Sequence, residues 1–234
     1  MSNTISTGNL IKGKRYLMFS AVCALITVFT TIAIHNIHVP AANFEERVLL
    51  YKNSLFLLLN WIIMFHCLMV LFSMLGVALV IEKHSRALAI LGFLFFSLFV
   101  FSEWQRTLNT LWHINGLRRQ YTVTADENTL QLIRFEIQNR LSQSNVYFLV
   151  FILGFSLGNA CYGLAIIKGK GSDRLLGAGL LLWFCCTSCA FMYDFVHAQW
   201  LRKIVDVCNN YYQPFIRLVI ACWLFQKAKQ LGKN

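Results

Sequence analysis

Five ionisable side chains stand where two apolar runs give way to polar sequence. Glu103, Arg106 and His113 recur at intervals of three and seven residues, and Asp194 and His197 are three apart. Such spacings place side chains on one helix face. If the helices carrying them pack together, all five lie at comparable depth and surround a polar opening or hold a cation. The plain alternative is a solvated Glu103–Arg106 helix pair worth a few tenths of a kcal/mol. The same carboxylates and imidazoles, Glu103, His113, Asp194 and His197, are also the ligand types of a metal-assisted hydrolase. That chemistry requires them to converge within about 3 Å of a common point.

A second set of polar residues interrupts otherwise apolar sequence. His66 lies midway along one run, and an ionisable group there faces the protein interior and needs a partner. As a haem ligand it lacks a second deep histidine, and as a proton relay it lacks a central carboxylate. The sequence favours a neutral packing histidine bonded to Asn60, Ser73, Ser156 or Asn159. Cys185 and Cys189 share a helix face, but a thiolate site needs deprotonation and usually four ligands, so no metal centre is read there. Gly154, Ser156 and Gly158 match the Gly-x-Ser-x-Gly spacing of a nucleophile elbow, which belongs at a strand-to-helix turn. Here the motif lies inside an apolar helix, where Gly154, Gly158 and Gly163 read as close helix packing. No catalytic residue is assigned.

The elements holding these residues are long apolar helices. Residues 54–81 form a run of 28 without formal charge, enough to cross a hydrocarbon core of about 30 Å with some tilt. The full expectation is a single all-α, polytopic membrane domain over residues 1–234, a helical bundle of about six transmembrane helices. These cover 16–34, 54–81, 87–102 continuing to 120, 146–167 preceded by an amphipathic stretch at 126–145, 175–195 and 211–226. Residues 1–11 read as a short polar tail, and the second half of the 35–53 loop as a short interfacial helix. Thr124 and Glu127 have the spacing of a capping box. Residues 198–208 read as a projecting continuation of the fifth helix, and Asn209, Asn210 and Pro214 as a break. Arg217, near the start of the last segment, is expected to snorkel outward. Trp104, Trp112, Tyr193 and Trp200 fit an interfacial aromatic belt.

Composition agrees: 57% of the chain is hydrophobic and only 13% charged, against about a quarter in ordinary soluble domains. The net charge of +11 comes from lysines and arginines flanking apolar runs, so no nucleic-acid partner is expected. Of the eight cysteines only Cys208 falls outside an apolar run, leaving it without an obvious bridge partner. Eleven of the 21 basic residues fall in the N-terminal segment, the turns near Lys83 and Lys168, and the tail. Positive-inside then places both termini in the cytoplasm of a cell membrane, with helical extensions on the opposite side.

These features favour a non-enzymatic role in small-molecule or ion permeation, sensing or membrane-complex assembly. The alternatives are the metal-assisted hydrolase or lipid-modifying enzyme at the outer boundary, and a haem or quinone redox subunit built on His66. The cofactor is unknown. The lipid bilayer is one partner, and a homo-oligomer or another membrane protein is a plausible second, because the amphipathic extensions need burial.

Overall fold

The computed structural model describes residues 7–231, with side chains from residue 13 onward. Among the described residues the chain is all-helical, without strands. Helix α1 spans Thr7–Asn36, so helix begins inside the expected tail; residues 1–6 of that tail, the Lys12 side chain and Lys233 lie outside the described set. A short helix α2 (Phe44–Leu49), capped by Asn43 accepting from the Glu46 amide, leads through a 3-10 turn into α3 (Ser54–Ile81). Helix α4 (Arg86–Leu108) passes through a π turn at Asn109–Ile114 into α5 (Asn115–Val123). Helix α6 (Glu127–Ile166) is 40 residues long, about 60 Å, and α7 covers Ser172–Phe195. The chain ends in α8 (Arg202–Val207), a second π turn at Cys208–Tyr212, and α9 (Gln213–Leu231).

Five of these helices are long and apolar enough to cross a membrane: Gly13–Asn36, Ser54–Ile81, Arg86–Val123, Glu127–Ile166 and Ser172–Phe195. They carry bulky apolar side chains outward, among them Phe29, Leu58, Leu94 and Phe101, each about half exposed or more. A contiguous apolar exterior of this kind requires a non-aqueous surrounding. Helix α9 has a more mixed surface but packs along α1, so six helices form a ring in the order α9, α1, α3, α4, α6, α7. The seam from α7 back to α9 is closed by Gly179, where a Cβ would lie 2.6 Å from Ile216 Cδ1, and by Tyr212 Oη donating to the Gly179 carbonyl at 2.7 Å.

Glycine also permits close helix contact. A Cβ on Gly154 would stand 2.8 Å from the Phe95 carbonyl oxygen and 3.0 Å from the Phe99 amide, so α4 and α6 meet backbone to backbone there. Gly158 leaves room for the Phe96 ring, and Gly163 for Leu181. The core fills one half of the ring with fully buried Ala21, Val70, Val77, Leu176, Leu224 and Ala228. On that side Asp173 accepts from Trp223 Nε1 at 2.7 Å and pairs with Lys227 at 2.7 Å, fixing the start of α7 to the end of α9.

Three local expectations change. The capping box gives way to Asp126, whose carboxylate accepts from the Thr129 amide at 2.9 Å and the Thr129 hydroxyl at 2.6 Å; Thr124 Oγ1 donates instead to the Gln120 carbonyl and terminates α5. The Thr129 hydroxyl and amide hold the Asp126 carboxyl below the usual carboxylate range. Helix α7 does not project as a continuous rod. It stops at Phe195, and His197 adopts φ 58°, the left-handed residue after a helix end, while the Ala198 amide donates to the Met192 carbonyl at 3.1 Å. The expected break near Asn209 and Pro214 is helical as well. The wide turn at Cys208–Tyr212 opens the hydrogen-bond ladder just before Pro214, which has no amide proton to donate, so α8 runs into α9.

Candidate functional site

All six ring helices contribute to one cavity of about 410 Å³, within the range of small-molecule sites. Its mouth lies at the level of His35, Glu103, Asp194 and Asp206. Its floor is reached at His66, Trp183 and Arg217. Trp183 precedes Asp194 by eleven residues on α7, so the cavity reaches about 16 Å into the bundle. Below that floor lies the apolar core of the ring.

The walls are aromatic. Phe99, Phe148, Phe151 and Phe155 line one side, and they contact one another with ring centroids 4.8 to 5.5 Å apart. Phe155 meets Trp183 edge-on at 4.8 Å. Into this apolar space project a few polar groups, the composition expected of a ligand pocket.

Arg217 is the least ordinary of them. Only 4% of it is exposed; its guanidinium stacks over Trp183 at 5.0 Å, and Nε has no hydrogen-bond partner. Among the described residues it belongs to no ion pair. It does not snorkel: Pro214 and the preceding π turn orient α9 so that this position faces the ring interior. Burying an uncompensated charge costs of order several kcal/mol. The cation–π contact with Trp183 recovers about 2 kcal/mol at most.

His66 lies beside it in the cavity wall, buried, with Nδ1 2.7 Å from Thr30 Oγ1. Its partner is therefore on α1 and not among the four expected residues. Asn60 and Asn159 donate to the Phe56 and Phe155 carbonyls of their own helices, and Asn159 Oδ1 is buried without a partner.

The five boundary residues separate. Glu103, Arg106 and Asp194 line the cavity. Glu103 is 2% exposed and holds the partly exposed Arg106 through a two-point pair, Arg106 Nε donating to Oε2 at 2.8 Å and Nη2 to Oε1, so the carboxylate is buried and not solvated. His113 lines a different, shallower pocket with Asn109, Arg140 and Tyr147. His197 occupies the turn after α7. Among the described residues no three His, Cys, Asp or Glu side chains are placed to hold a metal ion.

Cys186 and Cys208 meet at the cavity wall with sulfurs 2.6 Å apart, both free, so Cys208 has a close neighbour that linear sequence does not reveal. Arg217 did carry a signal in the sequence. Neither three nor four residues to either side is there an acidic residue, and an arginine in an apolar run without one needs some other partner. No protein family model matches the chain, and neither a curated protein nor a solved structure matches it significantly.

Proposed function

We propose that this is a non-enzymatic membrane protein that admits a small molecule from the side of its helical extensions into the central cavity, as a sensor or as one state of a carrier. The observation supporting this reading is the cavity itself, lined by residues of all six helices, with packed core beneath Trp183. A continuous pore would need polar or open space where Val77, Leu176 and Leu224 are fully buried. For the enzymatic alternative, no converged ligand set is present among the described residues. The redox alternative rests on His66, whose Nδ1 is engaged by Thr30, while the other histidine of the cavity, His35, stands at the level of the mouth. Six crossings with both termini cytoplasmic remain part of the proposal, supported by the basic residues clustered at the core-filled end.

Native mass spectrometry of the full chain in mild detergent tests it. A small molecule retained by the wild type and lost in Ala190→Trp, which fills the cavity from its α7 wall, is the expected result. Identical bare masses for both, with no uptake by proteoliposomes, would overturn it. Leu132 and Phe135, each 69% exposed on the projecting part of α6, favour a further reading in which a second chain packs there. The same spectrum reports that directly as oligomer mass.

A further inference from the structure

We infer that the cavity is a receptor for a singly charged oxyanion carried on an apolar body, with Arg217 as the residue that binds the charge; this rests on the ligand-binding reading above. Three observations lead to it. Arg217 lines the floor, is almost completely buried, and has neither an ion pair nor a partner for Nε among the described residues. The other basic side chain of the cavity, Arg106, is already held at two points by Glu103. The space in front of Arg217 is walled by the apolar rings of Phe99, Phe151 and Phe155 and by Trp183, whose Nε1 is a buried donor without a partner.

A guanidinium presents a planar fork of donors that matches a carboxylate or phosphate edge, and its stacking on Trp183 holds that plane in place. An oxyanion seated there supplies the missing counter-charge. His66 lies against the same end of the cavity and provides a further ring nitrogen beyond the one bonded to Thr30. At the mouth, the exposed Asp194 and Asp206 disfavour multiply charged anions more than singly charged ones. A free aliphatic carboxylate and the phosphodiester of an anionic lipid share this chemistry.

The test is scintillation-proximity binding of tritiated octanoate to the detergent-solubilised full chain, with tritiated octanol as the neutral match. Arg217→Gln is expected to weaken octanoate by about tenfold or more and to leave octanol within about twofold. Arg217→Lys, which keeps the charge but loses the fork, falls between and carries the test if the Gln variant does not fold. Octanol displacing octanoate as well as octanoate itself, or equal octanoate binding by wild type and Arg217→Gln, overturns the inference while leaving the cavity reading in place. Binding of neither probe, with Ala190→Trp unchanged from wild type, overturns both. The source is read in nanodiscs containing phosphatidylglycerol. Lipid retained by wild type and lost in Arg217→Gln supports the inference with a lipid ligand, and octanoate binding without retained lipid supports it with a soluble one.

Discussion

His197 shows how a residue type that suggests chemistry can serve the backbone instead. Its φ of 58° lies in the left-handed region, where an L side chain costs about 1–2 kcal/mol relative to glycine. His197→Gly is therefore expected to raise the thermal stability of the detergent-solubilised protein by about 1 kcal/mol, and His197→Val to lower it, since a branched side chain is least tolerated there. An unchanged melting temperature in both would show that this turn is not held as described. Residue identity alone could not separate this role from metal ligation, because the left-handed conformation depends on where α7 stops. The same limit applies to His66 and Arg217. The sequence marks His66 as needing an interior partner and reads Arg217 as turned outward, but their neighbours Thr30 and Trp183 lie 36 and 34 residues away, and only the ring packing brings them close.

The apolar helices were the most legible elements. The 54–81 run has the bounds of α3, and the hydropathy of 146–167 and 175–195 marks the membrane-length parts of α6 and α7. Less legible were the π turns at Asn109–Ile114 and Cys208–Tyr212, which leave no mark in hydropathy, the second preserving helix across residues that read as a break. Helix contact at Gly154 was visible as small-residue spacing, whereas the partner element was not. Gly154→Ile would drive a branched side chain against the Phe95 and Phe99 backbone, which cannot move without shifting α4. A loss of about 1–3 kcal/mol is expected, read as earlier thermal unfolding, with Gly116→Ala as a control where nothing lies within 4 Å of an added Cβ. Comparable melting of the two variants would show that α4 and α6 are not in backbone contact at this level.

The ring has two unlike ends, one filled by core and fringed with lysines, the other bearing the cavity and the elements beyond it. Positive-inside sidedness predicts that an epitope inserted after Ser85 is reached by antibody only after permeabilisation of intact cells, and one inserted after Thr124 without it. The reverse pattern would invert the proposed direction of ligand entry. At that second end α2, α5 and the start of α6 are bound together, through Phe44 against Tyr121 at 5.4 Å, Arg134 over Phe44 at 4.5 Å and Tyr51 Oη 3.0 Å from Thr122 Oγ1. Helix α6 is unbroken from this assembly to the cavity wall, so Asp126 at its tip and Phe155 beside Trp183 belong to one stiff lever. For a rod of about 60 Å, a tilt of about 5° displaces one end relative to the other by about 5 Å. The position of the tip and that of Phe155 in the cavity wall are thereby tied to each other, with no hinge in the helix between them.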